Sequence, residues 1–286
     1  MKGKTVLFIG CGDLGARAGQ WLLEQEVNVA AVRRNPAHLP QGFRGYAADY
    51  TRAGDLDFIA DLNPDYVVTS FTPTQRDTRG YERGFVESTQ LLLRALESSA
   101  VRQLVFVSST RVYAEREGGW VDENSALTED DPGGEAIVRA ESLLDDANFP
   151  SVRLRFGGIY GNPGGRLLQR IASGELCPET PISYSNRIHR IDAARVLVHC
   201  LQQADAGVEL ARSYNGVDNL PAPQYEVEHW LAMQMGLAQE SLRFTAKRMS
   251  AGHKRCRNTA LLSTGFEFEF ANYRAGYAQV LAERQA

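Results

Sequence analysis

The chain has 286 residues, is 43% hydrophobic and 23% charged, and carries a formal net charge of −4. That is ordinary for a globular protein of one large domain or a main domain with an appendage. The charge gives no general pull toward nucleic acid or an anionic membrane, and no apolar run approaches the roughly 20 residues a membrane helix needs.

Thr5–Ile9 is a continuous apolar, β-branched run, as expected of a strand buried on both faces. It leads straight into Gly10-Cys11-Gly12-Asp13-Leu14-Gly15, too soon for a signal peptide. A helix with Leu14, Ala18, Trp21 and Leu22 on one face follows, then a strand over residues 27–32. Tyr66–Thr69 reads as a further strand, opened by Asn63-Pro64-Asp65 and closed by Ser70-Phe71-Thr72-Pro73. Phe85, Thr89, Leu92 and Leu96 form the stripe of one long helix over residues 80–98. A buried strand over residues 104–107 ends in Ser108-Ser109-Thr110. Residues 136–146 are expected to be helical, and residues 152–156 a strand closed by Gly157-Gly158. Beyond this the pattern loosens to a short helix at Arg166–Ala172, a helix over residues 192–201 and a short strand that ends in Ser213-Tyr214-Asn215-Gly216.

Strands alternating with helices predict an α/β fold, a doubly wound parallel sheet of Rossmann type. The expected organisation is a dinucleotide-binding domain over residues 1–158 and a smaller substrate region over residues 159–286. Residues 188–218 or so of that region return to the main sheet, so the two are interleaved. Ligands of such sheets sit beyond the carboxyl ends of the strands. The cysteines at 11, 177, 200 and 256 are isolated, with neither zinc spacing nor a disulfide framework. Free thiols, no metal and a cytoplasmic location are the expectations.

The glycine turn lies between a buried strand and an amphipathic helix, the context in which Gly-x-Gly-x-x-Gly seats a diphosphate. Gly10 permits the turn, Gly12 lets the diphosphate approach the backbone, and Gly15 lets helix and strand pack closely. Cys11, Asp13 and Leu14 complete the turn, and the helix N-terminus offers free N–H groups. The second strand ends at Val32-Arg33-Arg34-Asn35, with no acidic residue between Val27 and Asp49. A carboxylate would repel a 2′-phosphate, whereas an arginine binds one. NADP(H) is therefore expected in preference to NAD(H), with Arg33 and Arg34 as its contacts or, alternatively, as solvated charges. Asp49 is a candidate for the adenine amino group, and Ser70, Phe71, Thr72 and Ser108 for further cofactor contacts.

The chain resembles the extended short-chain dehydrogenases/reductases, the NAD(P)-dependent epimerase/dehydratase group. The likeness rests on the glycine turn, on Ser108-Ser109-Thr110-Arg111-Val112-Tyr113, and on Arg155-Phe156-Gly157-Gly158-Ile159-Tyr160-Gly161. Ile188-His189-Arg190-Ile191-Asp192 and Tyr214-Asn215-Gly216-Val217-Asp218 extend it over most of the chain. The first glycine gap is one residue shorter than the family's usual spacing.

The resemblance implies that Ser109 polarises a substrate oxygen. It also implies a Tyr-x-x-x-Lys pair on the next helix, and this chain lacks it. Gly133 stands where the tyrosine belongs and Ile137 where the lysine belongs. No tyrosine lies between Tyr113 and Tyr160, and no lysine between positions 5 and 246. Tyr113, Tyr160, His189 and Asp192 are substitute proton donors by family position, or else packed structural groups.

The acidic residues Asp122, Glu123, Glu129, Asp130 and Asp131 read as solvated loops. Arg243, Lys247, Arg248, Lys254, Arg255 and Arg257 read as a solvated or anion-facing surface rather than a nucleic-acid site. Two functions remain open. One is an oxidoreductase or epimerase on a small carbonyl, hydroxyl or sugar-like substrate. The other is a catalytically silent NAD(P) sensor. A small-molecule substrate and a homodimer through the long central helices are the expected partners.

Overall fold

The computed structural model describes residues 1–245 and 253–285. Lys247 and Arg248 of the basic stretch lie outside the described residues.

Seven strands form the central parallel sheet. They are β1 (Thr5–Ile9), β2 (Asn28–Arg33), β3 (Arg44–Ala47), β4 (Tyr66–Thr69), β5 (Gln103–Ser109), β6 (Ser151–Phe156) and β7 (Ser213–Gly216). Their order is β7-β6-β5-β4-β1-β2-β3. Val6, Leu7, Phe8 and Ile9 of β1 are buried, and so are all four residues of β4. A strand with neighbours on both edges and helices over both faces has no solvated side, so its sequence runs apolar without alternation. Chain order reverses direction at β1, which lies between β4 and β2. This is the point where such sheets open a crevice beyond the strand ends.

Besides two single turns at Ile59–Leu62 and Thr259–Leu262, the helices among the described residues are α1 (Asp13–Glu24), α2 (Thr78–Tyr81), α3 (Ser88–Ala95), α4 (Pro132–Leu143), α5 (Arg166–Ala172), α6 (Arg190–Asp205), α7 (Gln224–Gln234) and α8 (Tyr273–Gln285). The single long helix expected over residues 80–98 is instead α2, a π-helical stretch Glu82–Glu87, and α3. The cause lies in two glycines pressed against the preceding loop. A Cβ on Gly80 would lie 2.2 Å from the Gln75 carbonyl oxygen, and one on Gly84 2.3 Å from that of Thr72. Gly84 lies within the widened turn, where the Ser88 hydroxyl donates to the Arg83 carbonyl at 2.9 Å.

Two compact units are present. One comprises residues 1–112, 127–155 and 194–214, and the other residues 113–126, 156–193 and 215–286. The chain crosses between the units at 112/113, 126/127, 155/156, 193/194 and 214/215. The second unit has its own core, in which Leu168, Ile171, Val227, Leu231, Tyr273 and Val280 are buried together.

Within the first unit a buried ionic network ties α4 to the sheet. The Arg155 guanidinium on β6 donates to both carboxylate oxygens of Glu141, at 3.1 and 2.7 Å. The Ser108 hydroxyl donates to the same carboxylate at 2.5 Å, and all three residues are buried. Arg153 donates to the Glu141 carbonyl at 2.8 Å and to Asp145 at 2.6 Å.

Candidate functional site

In the first unit, a cavity of about 370 Å³ opens beyond the ends of β1, β2, β3 and β4. Gly10, Cys11 and Gly12 line it, with Arg33 and Arg34 after β2, Asp49, Tyr50 and Thr51 after β3, and Ser70, Thr72, Pro73 and Thr74 after β4.

The three glycines play separate roles. Gly10 has φ +78°, and a Cβ there would lie 2.6 Å from the Ser70 carbonyl oxygen, so both conformation and space exclude a side chain. A Cβ on Gly15 would meet Cys11 Sγ at 3.1 Å and Phe8 Cδ1 at 3.2 Å, which fixes the close approach of α1 to β1. Around Gly12 there is open space, the nearest atom to such a Cβ being the Gly10 carbonyl oxygen at 4.0 Å. Gly12 is also the N-cap of α1 and supplies no side chain to cap it. The first-turn amides of a helix have no acceptor within the helix. The cradle therefore fits a diphosphate, with backbone donors, room at Gly12 and two arginines on its rim. When bound there, a pyridine dinucleotide supplies hydride chemistry.

Cys11 is buried, and burial pushes its thiol up to about 11, so it fills space at the turn rather than reacting. All four cysteines are free and buried. Arg33 donates to the His38 carbonyl at 3.4 Å, and Arg34 is exposed. The Asp49 carboxylate accepts the Thr51 hydroxyl at 2.7 Å and the Thr51 amide at 3.0 Å. Burial works against its charge, but the Thr51 hydrogen bonds, with Arg52 and Arg34 nearby, hold it below the usual carboxylate range.

Five expected contacts do not line the cavity. Asp13 is exposed and pairs with Arg17 at 3.0 Å on the outside of α1. Leu14 and Gly15 face inward on α1. Phe71 is buried with its ring edge-on to Phe106 at 6.0 Å. The Ser108 hydroxyl is committed to Glu141. Conversely, Tyr50, Thr51 and Thr74 line the cavity unanticipated. They follow β3 and β4 directly, so the strand-end rule extended by two residues would have found them.

Ser109 ends β5 half-buried, its hydroxyl accepting the Arg111 amide at 3.2 Å. On α4, Ile137 is buried. At Gly133 the space a side chain would take is occupied: a Cβ there would lie 2.5 Å from Arg111 Cζ. Asp131 is no solvated loop residue, since it receives Arg111 through two hydrogen bonds of 2.5 and 2.6 Å.

The other donors expected from family position lie in the second unit. The Tyr113 hydroxyl is fully buried and donates to Asn215 at 2.6 Å. Both carboxylate oxygens of Asp192 accept backbone amides, from Glu269 at 2.9 Å and Phe270 at 2.8 Å. His189 is buried with its ring 4.1 Å from Phe270. Tyr160 stacks on Tyr277 at 4.3 Å and lines a cavity of about 340 Å³ with Asn162, Arg187 and Gln224. Burial pushes the Tyr160 phenol far above its ordinary range. Asp218, from the late-strand segment, is buried; one carboxylate oxygen accepts the Leu220 amide at 3.0 Å and the other has no hydrogen-bond partner. Burial pushes its carboxyl up to about 7.

The end of the basic stretch is solvated only in part, Arg257 being exposed and Arg255 half-buried. Lys254 is buried, and Arg255 and Arg257 lie over the Trp120 ring at 5.0 and 4.8 Å. Among the described residues, no three His, Cys, Asp or Glu side chains gather to hold a metal ion, and no helix is long and apolar enough to cross a membrane.

Comparison with known proteins agrees with this geometry. A family model described as NAD(P)H-binding matches residues 10–204. A search of curated proteins found no match. Among solved structures, the chain is similar to a protein of Methylobacillus flagellatus provisionally described as an NAD-dependent epimerase/dehydratase. The two share 31% identity over 99% of each chain, with a TM-score of 0.81. It shares its fold with UDP-glucose 4-epimerase of Thermus thermophilus, solved with NAD, at 18% identity over 99% of each chain and a TM-score of 0.82. The same holds for UDP-glucose 4-epimerase of Thermotoga maritima, solved with UDP-glucose, at 15% identity over 98% of each chain and a TM-score of 0.82. Glycine cradle, strand order and matched span together place the chain in the NAD(P)H-binding family, among the extended short-chain dehydrogenases/reductases of NAD-dependent epimerase/dehydratase type.

Proposed function

We propose that the protein is an NADP(H)-preferring oxidoreductase or epimerase acting on a small carbonyl, hydroxyl or sugar-like substrate. The observation that carries the cofactor preference is the pair Arg33 and Arg34, which border the same cavity as Gly10 and Gly12. Two guanidinium groups there match a 2′-phosphate, and Asp49, the nearest acidic lining residue, is engaged by Thr51. Ser109 orients the substrate oxygen. A second reading, a catalytically silent NAD(P) sensor, is favoured by Gly133 and Ile137 standing in place of the tyrosine and lysine. Hydride transfer to any carbonyl substrate separates the two.

Two variants test the cofactor site by fluorescence titration. Gly12→Val places a side chain in open space, so the chain folds normally but the diphosphate seat is filled. Each charge-assisted hydrogen bond lost costs about 1.5–3 kcal/mol, so NADPH and NADH should both bind at least about tenfold more weakly. Unchanged affinity for both would remove the diphosphate from this cradle. Charge reversal at Arg33 and Arg34 together, each to Glu, should weaken NADPH by about 10- to 100-fold more than NADH. Equal effects on the two nucleotides would end the argument for NADP(H).

A further inference from the structure

Arg111 fills the space above Gly133 and carries a phenol with it. Its guanidinium is anchored to Asp131, and Nη1 donates to the Tyr81 oxygen at 2.6 Å. The guanidinium also lies 4.7 Å from the centre of the Tyr81 ring. The hydrogen bond to Asp131 is the main cause holding Arg111 above its ordinary value, with Tyr81 adding to it, so the cation is permanent. Because the Tyr81 oxygen accepts from Arg111, its own proton points elsewhere. Among the described residues nothing takes that proton, and the side chain is half-buried rather than sealed.

The phenol is also near the right elements. Thr74, on the cavity wall, donates its amide to the carbonyl of Gly80 at 3.0 Å, one residue before Tyr81. Arg111, in turn, gives its backbone amide to the Ser109 hydroxyl. Ser109, Arg111 and Tyr81 thus form one connected group in the first unit. A phenol held by a fixed cation has the chemical make-up of the missing tyrosine and lysine, assembled from α2 and the turn after β5 rather than from α4.

We propose that Tyr81 is the proton donor of this protein, with Arg111 as its positioning residue. The assignment rests on the oxidoreductase reading above. In carbonyl reduction, the carbon gains hydride from the reduced dinucleotide. The oxygen takes the Tyr81 hydroxyl proton, so the C=O π bond is replaced by a C–H and an O–H bond. The phenolate left behind faces the Arg111 guanidinium and regains its proton from water.

The test begins with the intact chain and N-acetylimidazole, mapped by mass spectrometry. Tyr81 is expected to be O-acetylated, and the acetylated protein to keep its NADPH affinity. Failure to modify Tyr81 under conditions that modify exposed tyrosines would overturn the proposal, because a small molecule could not reach the hydroxyl. Tyr81→Phe keeps the ring stacked on Phe85 and removes only the hydroxyl. With NADPH and a panel of glyceraldehyde, benzaldehyde, butanone and diacetyl, this variant should lower kcat by about 10²–10⁴-fold. KM and NADPH affinity should stay within about threefold. Arg111→Lys should lower kcat as well, and adding Tyr81→Phe to it should cost little more, since the two act as a unit. An unchanged kcat in Tyr81→Phe overturns the role of Tyr81, whereas no turnover of the panel by the intact chain overturns the oxidoreductase reading on which it rests. Failure of the intact chain to bind NADPH would likewise overturn the function on which it rests.

Discussion

Glu141→Ala should lower the free energy of unfolding by about 3–5 kcal/mol, a roughly 10²–10⁴-fold fall in the folded-to-unfolded ratio. The carboxylate takes two hydrogen bonds from Arg155 and one from Ser108, and the side chains of Glu141 and Arg155 are only 5% and 7% exposed. Removing it leaves a guanidinium in the interior without its counter-charge and a buried hydroxyl without its acceptor. Breaking such a pair costs far more than the pair contributed, because each ion was desolvated on the strength of the other. Glu141→Gln keeps acceptor and volume but not charge and should fall between the two. Urea unfolding, read as a shift in midpoint at constant slope, measures it. A loss below about 1 kcal/mol would mean that water reaches Arg155.

The second large effect is a pH dependence set by Asp218. Its folded carboxyl sits at about 7, against 3.8 for the free group. The folded state therefore holds a proton that the unfolded state has released between those values. Stability from this group is full below pH 4 and is lost as pH rises through 7, by on the order of 4 kcal/mol. Asp218→Asn retains an acceptor for the Leu220 amide and cannot ionise. It should match the native chain near pH 4 and exceed it in unfolding free energy at pH 8. A difference between the two proteins that does not change from pH 4 to pH 8 would show the carboxylate to be solvated.

Legibility in the sequence followed locality. Thr5–Ile9, Tyr66–Thr69 and Arg166–Ala172 have the bounds that their sequence predicts, because each is a short run with turn residues or glycines beside it. The glycine turn was legible for the same reason: every group it needs lies within six consecutive residues. Helices α7 and α8 were missed. Both bury a single face, Val227, Leu231 and Ala232 on α7 and Tyr273, Tyr277, Val280 and Leu281 on α8, but Glu228 inside the first stripe and the exposed Met233 outside it blur the contrast in the sequence. The break in the helix after Tyr81 depends on Gly80 and Gly84 meeting a loop, which no helical period encodes. Side-chain direction was the other blind spot. Ser108 and Ser109 are neighbours, yet alternation along β5 sends one hydroxyl to Glu141 and leaves the other at the strand end. That Arg111 fills the gap at Gly133 is a contact across 22 positions, and only the fold reveals it.

The late arrival of β7 has a consequence for biosynthesis. A ribosome must deliver 216 residues before the sheet can close, since Ser213–Gly216 is the neighbour that β6 lacks until then. Until that moment β6, with Val152, Leu154 and Phe156, is an apolar border whose amides and carbonyls have no companion on one side, the kind of template onto which other nascent chains assemble. Translation that stalls between codons 156 and 213 should therefore yield insoluble material rather than a smaller folded product.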